Sequence, residues 1–254
     1  MPDPIAPRYD RIGAGYASTR RQDPALFARI QAALGDAERV VNVGAGAGSY
    51  EPPERRVLAV ESSAVMLAQR PPGAAPAVRA SAHALPLADR SVDAALSVLS
   101  LHHWDAGQER GVRELRRVAR GPVVLVSYDA EVWSRMWLVA DYLPEVGELD
   151  RRIFPSLEQL TTWLGGRATV EPLPIPRDTP DWSLGSFWAH PERVLDPGAR
   201  AATSGFARMQ PAVVERAVAA LTRDLADGSW DARHGALRDL DALDVGLRLI
   251  VARP

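Results

Sequence analysis

Two kinds of apolar spacing alternate along the first half of the chain. Arg39-Val-Val-Asn-Val43, Arg56-Val-Leu-Ala-Val60, Val92–Leu99 and Pro122–Ser127 are nearly continuous apolar runs, the pattern of strands buried on both faces. Around them the spacing turns helical. Leu26, Ile30 and Leu34 recur behind Asp23-Pro24, an N-cap followed by proline at the first helical position, and Gly35 closes the segment. Ser62 or Ser63 caps a short helix through Met66 and Leu67 that Pro71-Pro72 stops. Val112, Leu115 and Val118 stripe a helix over Arg110–Arg120. Ala77–Ala80 reads as an edge strand. Strands alternating with helices predict an α/β fold with a parallel sheet covered on both faces.

The second half follows a different pattern. Glu131–Tyr142 reads as an aromatic-rich helix, Ser156–Leu164 as a Ser-capped helix, Ala168–Ile175 as a strand, Pro211–Leu225 as a helix and Val245–Val251 as a last strand. Arg177–Ala199 is a loop region with prolines and tryptophans. One domain over 1–254 accommodates this: a core of about 36–129, 155–176 and 244–254, an N-terminal helical cover over 1–35, and cap insertions over about 130–154 and 178–243. Trp133, Trp137, Trp182, Trp188 and Trp230 all lie in the insertions.

Composition narrows the chemistry. The 254 residues include no cysteine and no lysine, so all 30 basic side chains are arginine, and Asn42 is the only asparagine. This excludes a disulfide, a thiolate metal site, a cysteine nucleophile, a Schiff-base lysine and a P-loop. A net charge of −2 gives no electrostatic case for nucleic acid. The arginines of Arg110–Arg120 alternate with buried-type residues, as on a solvated helix face. No run reaches the roughly 18–20 apolar residues of a membrane span. Met1–Arg11 lacks a signal-peptide apolar region, so the expected location is cytoplasmic.

The strand Val41-Asn42-Val43 empties into Gly44-Ala45-Gly46-Ala47-Gly48, and the next strand ends in Glu61, 61 − 44 = 17 residues after the first glycine. Glycines permit positive φ and close backbone approach, and a carboxylate at that place accepts hydrogen bonds from ribose hydroxyls. A dinucleotide site wants a glycine at position 49 to open a helix onto pyrophosphate. Here Ser49-Tyr-Glu-Pro-Pro53 follows and leaves no room for a long helix. The site suits an adenosine ligand without phosphate, such as S-adenosylmethionine.

Several segments then line up in order: Asn42–Gly48, Val60-Glu61-Ser62-Ser63-Ala-Val-Met66-Leu67, Ala82-His83-Ala84-Leu85-Pro86-Leu87, Ser91-Val92-Asp93-Ala94, Leu101-His102-His103-Trp104 and Arg113–Val118. Over about residues 36–129 the chain resembles the Rossmann-like, class I S-adenosylmethionine-dependent methyltransferases. Within them it is similar to the small-molecule group that includes quinone-biosynthesis C-methyltransferases. The resemblance implies a seven-stranded, mostly parallel sheet with helices on both faces, an antiparallel last strand, and a helical cap from insertions after strands 5 and 6. It implies a methyl transfer by in-line displacement onto a small aromatic or hydrophobic acceptor, by proximity and desolvation, with a histidine as a possible base. A protein of the same fold with a non-methylating role, a cyclase or a binding module, is the alternative.

The resemblance also implies site roles. Gly44, Gly46 and Gly48 would lie along the methionine part of the cofactor, Glu61 would hold the ribose, and Ser62, Ser81 and Ala82 would border the adenine. Ser97 to Leu99 would lie under the sulfonium, and Tyr16, with Arg20, would reach the methionine carboxylate. Asn42 and Ser81 stand where that family often has acids. His103 is the candidate catalytic or substrate-orienting residue, the other reading being a histidine bonded to a loop carbonyl. His83, His190 and His234 read as structural or surface residues. No helix-spaced histidine pair suggests a metal. Tyr128, Trp133, Trp137 and Trp188 are candidate substrate contacts. Trp133 and Trp137, four apart, would face together, either packing the cap or lining an aromatic cavity. The expected partner is a small-molecule acceptor, with no nucleic acid, no membrane and no indication of oligomeric state. A nucleic-acid methyltransferase is disfavoured by the missing cysteine and by Ser100-Leu-His-His-Trp104 after the fourth strand. A nicotinamide oxidoreductase is disfavoured by Ser49 and the short first helix.

Overall fold

The structure is a computed structural model that describes residues 21–165 and 167–254. The apolar runs form seven strands in one sheet: β1 (Arg39–Val43), β2 (Arg56–Glu61), β3 (Ala77–Arg79), β4 (Ala94–Val98), β5 (Val123–Tyr128), β6 (Ala168–Pro172) and β7 (Leu247–Ala252). Their order across the sheet is β3-β2-β1-β4-β5-β7-β6. The first five strands are parallel, and β7 runs antiparallel between β5 and β6. The strand order reverses between β1 and β4, and ligands of open α/β sheets bind at the carboxyl ends of strands beside such a switch point.

Alternate residues of the central strands supply two core layers, while the edge strands β3 and β6 stay largely exposed. Val40, Leu96, Val124 and Val126 pack against Ile30 and Leu34 of helix α1 (Pro24–Leu34) and against the cap. Val41, Ala95, Val123 and Leu125 pack against Val112, Leu115 and Val118 of the helix Gln108–Val118. Asp23 caps α1 through a hydrogen bond from Leu26 N, and Ser63 caps α2 (Ala64–Ala68) through one from Met66 N. No helix forms between β1 and β2, where even a short one was expected. Pro52 and Pro53 hold that segment in turns.

The cap departs from the sequence expectation at several points. The helix expected over Glu131–Tyr142 is broken. Ala130–Trp133 forms one turn, and Leu138–Tyr142 forms a π-turn in which Leu143 N–H donates to the Leu138 carbonyl at 2.9 Å. The break separates Trp133 from Trp137, so the two rings do not face together. Trp133 donates to Asp150 Oδ2 at 2.8 Å, whereas Trp137 donates to the Trp188 carbonyl at 2.8 Å and packs on Trp230. A further helix, Pro144–Ile153, follows. The strand expected over Ala168–Ile175 ends at Pro172, and Ile175–Pro176 pairs instead with Ala242–Leu243 in a separate antiparallel ribbon. Pro172 and Pro174 lack the N–H groups that a continuing ladder needs. No helix among the described residues is long and apolar enough to cross a membrane.

Candidate active site

The site forms where β1, β2 and β4 end. Gly44 leaves β1 at φ +69°, and a Cβ there would lie 2.4 Å from the Ser100 side chain, so this position requires glycine on both counts. The N–H groups of Gly44 and Ala45 both donate to the Val60 carbonyl, at 2.8 and 3.2 Å. Glu61, buried at the end of β2, accepts from Gly46 N and from Ser63 N, each at 2.8 Å. The carboxylate thus ties the glycine loop to the start of α2. Asn42 is buried with its Nδ2 3.5 Å from Glu51 Oε1, and its Oδ1 has no hydrogen-bond partner among the described residues.

Glu51 and Arg70 brace the loop from beneath. Their side chains are 6% and 7% exposed and meet at 2.6 Å. Arg70 also donates to the Ala75 carbonyl at 2.8 Å and approaches the Gly46 carbonyl at 3.5 Å. Neither residue stands out in the sequence, because Glu51 sits in a Pro-flanked turn and Arg70 follows a short helix. A glutamate nine residues after Asn42 is the only cue, and it is a weak one.

The other expected cofactor residues lie along the same edge. Ser62 is exposed beside Glu61, at 3.5 Å. Ser81 and Ala82 follow β3. Ser81 Oγ accepts from His83 N at 3.2 Å, and the His83 ring bonds to the Trp104 carbonyl at 3.0 Å. Ser97 is fully buried in β4, with its Oγ 2.7 Å from Ser100 Oγ, which in turn donates to the Val43 carbonyl at 3.2 Å. Leu99 adopts φ +50°, a left-handed conformation unfavourable for a branched side chain. Such strain concentrates at functional sites. Tyr16 and Arg20 lie outside the described residues.

Leu99, Tyr128 and Ser183 separate two cavities. The larger, about 230 Å³, is mainly apolar, with Leu26, Leu173, Ile175 and Leu247 in its wall and Tyr50, Asp23 and Asp181 as polar points. Tyr50 Oη accepts from Asp23 N at 3.2 Å, which ties the segment after the glycine loop to the cap of α1. The smaller cavity, about 70 Å³, includes His102, Trp133, Asp150, Phe154 and Thr203 in its wall. Tyr128 packs against Trp133 and Phe154. Trp137 and Trp188 lie within the cap's own core, with Trp188 donating to the Ile175 carbonyl at 3.0 Å.

The two adjacent histidines point differently. His102 is buried, stacks on Phe154 at 4.4 Å and lines the smaller cavity. His103 Nδ1 lies 3.0 Å from Arg208 Nη2, and the same guanidinium nitrogen donates to the His102 carbonyl at 3.3 Å. A guanidinium only donates, so Nδ1 of His103 is the acceptor and the neutral ring carries its proton on Nε2. Asp150 is the buried acid of this region. Burial pushes its carboxyl up to about 6, against the opposing effects of the Trp133 hydrogen bond and the nearby Arg208 charge. Nothing in the sequence marks Asp150, because its burial depends on Trp133, seventeen residues earlier.

Residues 41–126, from β1 to β5, match a family described as a methyltransferase domain. A solved structure of a candidate methyltransferase from an antibiotic biosynthesis pathway of Anabaena variabilis is similar at 31% identity and a TM-score of 0.85. That match covers 92% of this chain and 98% of the other. The chain belongs to the class I S-adenosylmethionine-dependent methyltransferases.

More distant structures share the methyltransferase's fold. A methyltransferase of Thermotoga maritima has 21% identity and a TM-score of 0.54, covering 68% of this chain and 86% of its own. A Haemonchus contortus phosphoethanolamine N-methyltransferase with S-adenosylhomocysteine bound has 13% identity and a TM-score of 0.50, covering 91% and 52%. These two likenesses show the fold alone. A search of curated proteins gave no significant match. The methyltransferase uses S-adenosylmethionine, and its glycine loop and Glu61 stand at the switch point where the fold binds ligands.

Proposed function

We propose that this methyltransferase moves a methyl group by in-line displacement onto a small aromatic or hydrophobic acceptor seated under the cap. The observation that carries this reading is the pair of cavities meeting at Leu99, just past β4, and at Tyr128, the end of β5, with Tyr50 from the segment after the glycine loop in the larger cavity's wall. The cofactor supplies an activated methyl on cationic sulfur. The chain's task is then to align the acceptor and exclude water. The larger cavity suits an apolar body, and the similarity to the Anabaena protein supports an acceptor from specialised metabolism. We read 36–129, 155–176 and 244–254 as the core of a single domain, 1–35 as its N-terminal cover, and 130–154 and 178–243 as the cap.

The residues present suit the cofactor. Glycines at 44, 46 and 48 take positive φ, and a Cβ at each would press on the protein itself, on Ser100, Met66 and Arg70, so only glycines hold the loop in this shape at the strand ends. Glu61 has lone pairs beyond those taken by Gly46 and Ser63, and we assign these to the ribose hydroxyls. The unpaired Oδ1 of Asn42 is an acceptor suited to the methionine ammonium, with Tyr16 assigned to the carboxylate. Ser62, Ser81 and Ala82 border the adenine, and Ser97 and Leu99 the sulfonium. Tyr128 and Trp133 contact the acceptor, whereas Trp137 and Trp188 shape the cap that holds it. His103 lies outside the walls of both cavities, and we assign it an orienting role exerted through Arg208, which links its Nδ1 to the carbonyl of the cavity-lining His102.

Calorimetry with S-adenosylmethionine, followed by release of S-adenosylhomocysteine from a panel of small aromatic acceptors, tests this reading. Binding with turnover is expected. Binding without release from any acceptor would favour the non-methylating alternative, and no binding would defeat both.

A further inference from the structure

Asp150 is the best-placed proton acceptor of the region. It lies on the helix Pro144–Ile153, is 8% exposed, and lines the smaller cavity with His102, Tyr128 and Trp133. One oxygen, Oδ2, is fixed by the Trp133 indole at 2.8 Å, which orients the carboxylate and leaves Oδ1 toward other partners. A buried carboxylate is costly, and such groups are more often found where chemistry uses them; this one shares its wall with His102, Ser183, Thr203 and Ser204. The chamber of about 70 Å³ is too small for an aromatic body but holds a polar head group, while the adjoining cavity of about 230 Å³ holds the body. Arg208 acts electrostatically on Asp150 from the cap side. That guanidinium charge offsets part of the attraction the Asp150 carboxylate would exert on a cationic head group, whereas a neutral hydroxyl needs only the hydrogen bond to the carboxylate.

Resting on the methyl-transfer reading above, we propose that the acceptor is an aromatic alcohol whose hydroxyl faces Asp150, and that Asp150 is the catalytic base. The hydroxyl proton passes to the Asp150 carboxylate as the oxygen lone pair forms the bond to the methyl carbon. The carbon–sulfur bond breaks with its electron pair going to sulfur, which neutralises the sulfonium. Asp150 then returns the proton to water. The products are the methyl ether, S-adenosylhomocysteine and one proton. The groups facing Asp150 are the Trp133 N–H, the Arg208 guanidinium, and the His102 and Tyr128 side chains across the chamber.

The test uses the full chain with S-adenosylhomocysteine bound and three probes of similar size: 2-naphthol, 2-methylnaphthalene, and naphthalen-2-ylmethanamine, which is a cation at pH 8. The naphthol is expected to bind about tenfold more tightly than the other two, as a hydrogen bond to a charged group allows. Asp150→Asn keeps an acceptor for Trp133. It is expected to bring naphthol down to the level of methylnaphthalene, to lower S-adenosylhomocysteine release from naphthol about 100-fold, and to leave S-adenosylmethionine affinity within twofold. Trp133→Phe removes the bond that favours the charged carboxylate, and the acidic limb of the rate profile is expected to move to higher pH. Equal binding of the three probes, preference for the cation, no binding of naphthol, or undiminished release in Asp150→Asn would each overturn the proposal. Loss of S-adenosylmethionine binding by the wild-type chain would instead overturn the methyltransferase reading beneath it.

Discussion

Asn42, Gly44 and Asp150 show how much single residues constrain the site. Gly44→Ala adds a Cβ at φ +69°, 2.4 Å from the Ser100 side chain. A loss of at least about 2 kcal/mol is expected from strain and clash together, measurable by denaturant unfolding. Asn42→Asp sets a second carboxylate against Glu51, which Asn42 Nδ2 approaches at 3.5 Å. Lower stability at pH 8, by roughly 1–3 kcal/mol, and an altered S-adenosylmethionine affinity are expected. Asp150 carries a pH signature. Its pKa is raised from 3.8 to about 6, so the folded chain keeps a proton that the unfolded chain gives up between those values. Its contribution to stability is full below pH 4, falls as pH rises to 6, and amounts to about 3 kcal/mol lost at neutral pH. Asp150→Asn is therefore expected to be more stable than wild type at pH 8, with the gap closing toward pH 4. A gap that does not change with pH would contradict the burial argument.

Among the elements, the sheet was legible and the cap was not. β1, β2 and β5 follow from nearly continuous apolar runs, and α1 from Asp23-Pro24 and Gly35, because both faces of the sheet bury whatever points at them. The loop and Glu61 were legible for the same reason: strand ends locate them. Periodicity could not foresee the break between Trp133 and Leu138. It depends on where two indole N–H groups find acceptors, Asp150 Oδ2 and the Trp188 carbonyl, which are distant in sequence. Nor could it pair Glu51 with Arg70, whose meeting under the loop is a tertiary event. Removing one partner leaves the other buried and charged. Arg70→Met is expected to cost about 3–5 kcal/mol, and the double variant with Glu51→Gln less than the sum of the singles, as a double-mutant cycle would read.

At the scale of the molecule, the reversal of strand order between β1 and β4 decides where chemistry happens. It opens the crevice in which the glycine loop, Glu61 and Leu99 converge, and the cap closes over the ends of β4 and β5 through Arg208, which donates to the His102 carbonyl, and through Trp133 and Phe154, which pack on Tyr128. The core was readable because it is a repeated pattern of strands and turns. The acceptor chamber was not, because its walls come from the segment after β4, the end of β5 and four separate stretches of the cap. The most direct measurement is calorimetric titration of S-adenosylmethionine into the wild-type chain and into Glu61→Ala. One equivalent should bind to the wild type, and the affinity should fall at least tenfold in Glu61→Ala. No heat from the wild type, or equal affinity in the two proteins, would contradict a cofactor site built on the glycine loop and Glu61.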